Sequence, residues 1–492
     1  MSHRMLRILA AAALSAVLTA LPSTAAERPV VTAADYARAE RFLGAQAASL
    51  VFRASVEPHW LSGDRFWYRN RLAGGSEFIL VDAPRGVRGP AFDHVRVAAA
   101  LSAAEGKPHA ATSLPFNEIE FMDGGKRISF VVGARRYSCD LRGRKMTFEA
   151  IAPPGGRPEK EREPGAASPD GRLEAFLRGD NLWVRETETG TERPLTFDGV
   201  KDFGYATDNA GWSKSDRPIV AWSPDSRKIA TFQQDQRGVG EMPLVEVKAG
   251  RPVLHVWKYP LPEDETVITI QRVVVHLDGP RVVRLKVPPD ARRGSVTDDI
   301  QASDGQMEDV AWSRDSRRLA FVSTPRDHSS ALLRIADPET GEVRDVFEET
   351  TKTFFESGAG ESAWRFLPES GEFIWFSERE DWGRLFLYDL ETGRLKNPIT
   401  SGPGRAARVV RVEPEKRRLT FAGLGMESGR DPYFRHIYQI GFDGTGKVLL
   451  TPEDMDHEVV YSPSGRYLID TFSRPDVPPT TVLRTAEGRF VL

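Results

Sequence analysis

Few residues of this chain have the type and spacing to break a bond. Gly211-Trp212-Ser213-Lys214-Ser215 comes nearest to the Gly-x-Ser-x-Gly elbow that lifts a nucleophilic serine off a strand. Ser215, however, stands where close strand–helix packing asks for glycine, and Asp216-Arg217-Pro218 stops a helix from following. Ser213 is therefore read as a loop serine. Ser362, in Gly360-Glu361-Ser362-Ala363-Trp364, fails the same test because Trp364 opens a strand. The nine histidines are scattered with no His-x-x-x-His pair, and a lone cysteine allows no Cys-x-x-Cys, so no metal is expected. No glycine loop runs into Lys-Ser or Lys-Thr ahead of a helix, and the run Gly402 to Gly404 lies between strands, so no cofactor is expected either. What remains is binding chemistry. Glu241 follows Gly238-Val239-Gly240, a carboxylate on a glycine-rich loop that faces either a cavity or solvent.

The elements that must position such residues are written as a repeat. SPDGRLEAF from Ser168, AWSPDSRKIATFQ from Ala221, AWSRDSRRLAFVS from Ala311 and YSPSGRYLIDTFS from Tyr461 share an apolar entry, a polar turn and a strand. In the second copy Pro224 fixes φ at the first corner, Asp225 and Ser226 bond back to local backbone, and Arg227 to Phe232 continue as a strand. Weaker copies start at Leu61, Met122, Leu367 and Glu413. The eight starts are mostly about 45 to 60 residues apart, the length of one four-stranded blade. Second halves repeat as strand, Asp/Glu-Thr-Gly hairpin, strand, as in NLWVRETETGTERPLT from Asn181 and LFLYDLETGRLKNPIT from Leu385. The expectation is an all-β fold over residues 59–492: an eight-bladed β-propeller, with seven blades as the alternative. One enlarged blade should hold Val253 to Tyr259 and Thr266 to Val287.

Composition agrees. The 492 residues are 40% hydrophobic and 28% charged, with 42 Gly and 34 Pro for many turns. A formal charge of −3 with mixed signs gives no basic stripe, so nucleic acid is not an expected partner. Arg314, Arg317 and Arg318 read as solvated turn neighbours. Arg4 and Arg7 precede an apolar run from Ile8 to Leu21, and Thr24-Ala25-Ala26 offers small residues before Glu27, so residues 1–26 read as a cleavable secretory signal. A periplasmic or secreted protein, with no membrane contact after cleavage, is expected. Cys139 alone forms no intrachain disulfide. Within a helical segment over residues 27–58, Thr32 should cap a helix with Asp35 in its first turn. Its apolar residues Tyr36, Ala39, Leu43, Ala47 and Leu50 should pack on the propeller, and the stretch Glu27 to Trp60 is the candidate for a borrowed ring-closing strand. Arg379, in a charged hairpin, should pair with Glu378 or Asp381. Tyr433 and Phe434 in another hairpin should meet either their own blade, a partner domain or a second copy in a homodimer.

QQDQRGVGEMPLVEVKAGRPVLHVWKYPLPEDE from Gln233 and the closing stretch from Tyr461 resemble the amino-terminal propeller of dipeptidyl peptidase IV-like enzymes, of the prolyl oligopeptidase group of serine peptidases. The phrases MPLVEV and VWKYPLPED carry it, and EFILVDAPRG from Glu77 and AFDHVRVAAALSAAEG from Ala91 resemble bacterial members. The resemblance implies a propeller that gates and orients peptides for an α/β-hydrolase domain, which would need about 250 residues beyond Leu492. No catalytic triad is therefore expected within these residues. Two neighbouring glutamates in the family pair with the substrate's amino group. Matching that stretch to Gly204 through Trp212 places Asp208 and Asn209 near them, with Tyr205 and Trp212 either lining the cavity or packing the blade. The double Glu is absent, and Asp208 also reads as an Asx-type loop cap. A stand-alone binding or scaffolding propeller is the alternative function, and a TolB-like accessory a further one that leaves the YPLP segment unexplained.

Overall fold

The structure, a computed structural model, describes residues 30–47, 50–150, 163–207, 216–292, 307, 309–355 and 364–492. The repeated turn forms as its side chains dictate. Ser223 Oγ donates to Asp225 Oδ1 at 2.6 Å and accepts the Lys228 N–H at 2.9 Å, and Ser313 does the same with Asp315 and Arg318 at 2.6 and 2.9 Å. Ser168 repeats the pattern with Asp170 and Leu173. Each turn also touches the next: the Asp170 N–H donates to Ser226 Oγ and the Asp225 N–H to Ser316 Oγ, both at 3.2 Å. Tryptophans add a second rung, since Trp222 Nε1 donates to Ala166 O and Trp312 Nε1 to Ala221 O, each one sheet back.

From each turn an antiparallel sheet grows. In chain order the described residues form sheets over 59–90, 120–150, 165–194, 203–292, 310–350, 365–398, 405–449 and 456–485, hereafter the first to the eighth. Most have four strands; the fourth has six and the eighth three. A separate hairpin, Glu241–Glu246 with Val253–Lys258, rises from within the fourth sheet, so the long interval between repeats holds extra strands as its sequence suggested.

The sheets pack face to face, and side-chain alternation supplies both faces. In Glu372–Ser377, Phe373 and Trp375 enter the core shared with the fifth sheet, while Ile374 and Phe376 enter the core shared with the seventh. Every position of that strand is buried, and each large apolar side chain so placed contributes about 1.5–3 kcal/mol. Counting the eighth sheet with the first, seven of the eight consecutive pairs share an apolar cluster among the described residues; the second and third do not. The eighth meets the first through Ile469 and Leu483 against Phe66, Ile79 and Val81, and through Asp64, which accepts from Ser464 Oγ at 2.5 Å and Arg466 Nε at 2.8 Å.

Three expectations change. The helix starts as read: α1 (Ala33–Glu40) has Thr32 and Asp35 in a reciprocal capping box. It ends at Glu40, a one-turn α2 (Gly44–Ala47) follows, and α1 buries nothing, with Tyr36 66% exposed and Leu43 beyond it 61% exposed. Among the described residues the amino-terminal stretch also lends no strand to the eighth sheet. His59–Leu61 pairs with Arg65–Trp67 inside the first sheet, and the edge of the eighth is followed by residues 489–492, with Val491 N–H donating to Leu483 O and Thr485 N–H to Arg489 O, both 2.8 Å. A helix absent from the sequence reading, α3 (His94–Glu105), is capped by Asp93 and stopped by Gly106 at φ +71°, and packs Val97, Ala98 and Leu101 between the first two sheets. Among the described residues no helix is long and apolar enough to cross a membrane. Residues 1–26 lie outside them.

Candidate functional site

Asp180 and Asp202 both sit in turns at positive φ, +63° and +62°, a conformation that aspartate tolerates. Asp180 closes the hairpin between Leu173–Arg178 and Asn181–Glu186, at the end of the third sheet away from its Ser168 turn. Asp202 precedes Phe203–Tyr205, which pairs with Gln233–Asp235. The inserted hairpin then brings Glu241 and Lys258 opposite each other in register. These pieces meet around a cavity of about 250 Å³ walled by Asp180, Asp202, Thr207, Gln234, Glu241, Trp257 and Lys258, with Lys201 at its side. Gly204 lets the walls close in, because a Cβ there would lie 3.0 Å from Thr207 Cγ2 and 3.3 Å from Asp180 Cβ.

The chemistry of this cavity is recognition. Lys258 Nζ lies 3.4 Å from Glu241 Oε1 and donates to Val239 O at 3.1 Å, and Thr207 Oγ1 donates to Gln234 Oε1 at 3.0 Å. The Glu241 side chain is 59% exposed, so its pair with Lys258 is weak and a ligand's ammonium can replace it. Trp257 adds an indole N–H that is buried without a hydrogen-bond partner. Three carboxylates with two lysines suit a polar ligand carrying a positive end.

Glu241, read in the sequence as a loop carboxylate, is thus the first residue of a strand and part of the cavity wall. Tyr205 is not a lining residue. Its ring is fully buried in the core between the third and fourth sheets, its hydroxyl donates to Asp198 Oδ1 at 2.7 Å and accepts from Arg284, and burial followed by the Asp198 contact pushes its phenol pKa up. Asp208, Asn209, Trp212, Ser213 and Ser362 lie outside the described residues. Thr207, next to Asp208, is on the wall. The sequence reading missed Asp180, Asp202 and Lys258. Gly179-Asp180 and Lys201-Asp202 look like any polar turn, and only the order of the hairpins brings them together.

Two other clusters are structural. Arg379 pairs with neither Glu378 nor Asp381. It reaches Glu349 Oε2 of the fifth sheet at 2.7 Å, a partly buried carboxylate that also accepts from Trp375 Nε1 at 2.8 Å. Glu453, His457 and Asp470 bring three ligand-type atoms within 4.8 Å of one another. His457 Nδ1 is bonded to Asp470 Oδ1 at 2.9 Å and its Nε2 to Glu453 O at 3.0 Å, while Arg484 binds both carboxylates, so the positive charge of a metal is already supplied.

Antiparallel sheets in series, with seven of the eight consecutive pairs packed on a shared apolar core among the described residues, have the arrangement of a β-propeller. The model for the dipeptidyl peptidase IV N-terminal region matches residues 130–479, and the chain belongs to that family. It is 23% identical over 338 residues to a probable dipeptidyl peptidase 4 of Emericella nidulans, covering 63% of this chain and 40% of the relative. A probable dipeptidyl-aminopeptidase B of Ajellomyces dermatitidis is 24% identical over 358 residues, with 67% and 37% covered. The chain thus spans about two fifths of these relatives. In fold it is similar to Porphyromonas gingivalis dipeptidyl peptidase 4, with a TM-score of 0.60 at 17% identity over 91% of this chain and 60% of that one. A putative dipeptidyl aminopeptidase IV of Bacteroides ovatus gives 0.57 at 16%, over 88% and 59%.

Proposed function

We propose that the chain is an eight-bladed propeller that admits peptides and orients them by their amino end for proteolysis by an α/β-hydrolase domain, in the periplasm or outside the cell. Eight sheets in series and the contact of the eighth with the first support the blade number and its closure. The single observation that carries the peptide reading is the cavity in which Glu241, Asp202 and Asp180 converge beside Thr207, since carboxylates held near one another in a partly enclosed site bind an ammonium group by charge-assisted hydrogen bonds. The names of the relatives, dipeptidyl peptidases, agree with a ligand recognised by its free amino terminus.

The test is calorimetric titration of the purified chain with alanyl-prolyl-alanine amide and with its N-acetylated form. The free amine is expected to bind about tenfold more tightly, and Glu241→Gln with Asp202→Asn to erase the difference. Equal affinities for the two peptides would overturn the orienting role.

A further inference from the structure

A second opening lies on the first sheet. His59 begins its first strand, and Arg69 and Arg71 lie near the end of its second, so all three are at the end of the sheet away from the Ser62-Gly63-Asp64 turn. Asp180 is placed the same way in the third sheet, which puts both openings on the face opposite the repeated turns. The stretch before the first strand crosses this end, its Arg53 N–H donating to Arg71 O at 3.2 Å. The result is a cleft of about 720 Å³ whose walls include Arg53, Arg69, Arg71, His59, Glu57 and Glu118.

The walls are fixed. Ser76 N–H donates to Thr112 O at 2.7 Å, and Gly75, at φ +142°, lets that carbonyl approach to where a Cβ would stand 1.9 Å from it. Arg69 Nε is held by Ser76 Oγ at 2.9 Å, and His59 stacks flat on Trp67 at 3.8 Å with the planes 4° apart. Several arginines elsewhere are held by carboxylates, Arg185 by Glu174 and Glu192 and Arg435 by Asp456 and Glu458. Neither Arg53 nor Arg69 makes an ion pair among the described residues, although Glu57 and Glu118 share the cleft. Guanidinium forks match a carboxylate in two-point geometry. The two glutamates oppose an anion of higher charge, and Ser55 and Asn117 offer partners for amides.

We propose that this cleft is a carboxylate-binding site for peptides, distinct from the cavity at Glu241. The proposal rests on the reading that the chain handles peptides. The carboxylate is either a peptide's carboxyl terminus or an acidic side chain, and the test separates the two.

The full chain is titrated with acetyl-tetraalanine bearing a free carboxylate, with its carboxamide, and with an acetylated, amidated tetrapeptide containing one glutamate. At least one acidic peptide is expected to bind about tenfold more tightly than the neutral amide, with affinity falling as salt rises. Preference for the first identifies a carboxyl-terminal site, and preference for the third a side-chain site. Arg53→Gln with Arg69→Gln should remove the preference without shifting the thermal melt, Arg69→Lys should retain part of it, and Glu241→Gln should leave it intact. Equal binding of all three peptides, no binding of any, or a preference that survives the double substitution overturns the proposal. Because every probe is acetylated, such a failure leaves the amino-end reading standing, which the free-amine comparison decides separately.

Discussion

Glu372 shows how a buried charge is held in this molecule. Its side chain is 2% exposed, and it accepts from Arg417 Nη1 at 2.8 Å and from Lys396. Burial alone would raise its pKa, but the hydrogen bonds from Arg417 and then Lys396 outweigh it and hold the carboxyl at about 2 against an ordinary 4.5. A lowered pKa in the folded state means that the stabilisation is complete above pH 4.5 and is lost as pH falls from there towards 2. Glu372→Gln should therefore destabilise the protein by about 2–3 kcal/mol at neutral pH. In denaturant melts the gap from the parent should shrink below pH 4.5, and a gap independent of pH would contradict the assignment. Glu372 itself was not legible as a special residue, since Glu-Ser-Gly-Glu reads as a polar turn until Arg417 arrives from the next sheet. The same holds at the cavity: Glu241 stood out because glycines precede it, whereas Asp180 and Asp202 are recognisable only once hairpins of different sheets converge.

At the level of elements, the turn was the most readable part of the chain. Serine, proline and aspartate at fixed offsets satisfy one another locally, so the local sequence alone determines the conformation. Ser313 is buried and serves two partners, Asp315 as donor and the Arg318 N–H as acceptor. Ser313→Ala should cost about 1–2 kcal/mol, because it leaves that N–H without its partner, and thermal unfolding monitored by circular dichroism measures it. The helices were less readable. The cap of α1 is a local interaction and formed as expected, but whether its apolar side chains find a surface depends on the rest of the fold, and they do not. α3 is hard to read from sequence because its buried face is only Val97, Ala98 and Leu101 rather than a full apolar stripe, although Asp93 and Gly106 mark its ends.

For the whole molecule, the junction of the first and eighth sheets is the decisive contact, because sheets in series close only if the last finds the first. Asp64 is 5% exposed, stands at φ +52° and takes hydrogen bonds from Ser464 and Arg466, some four hundred residues away in sequence. Asp64→Asn keeps a side chain that tolerates this backbone and removes the charge that Arg466 binds. It should lower stability by about 1–2 kcal/mol and speed hydrogen exchange in the first and eighth sheets before the fifth and sixth. Uniform acceleration across all eight would mean that the junction is no weaker than any other. The same junction places Leu492 and Val491 in one apolar cluster with Trp60 and Val56. The first and eighth sheets are therefore neighbours in space, and a circular permutant that joins them and opens the chain ahead of the third sheet, where no apolar cluster is shared with the second among the described residues, is expected to place every sheet beside the same neighbours.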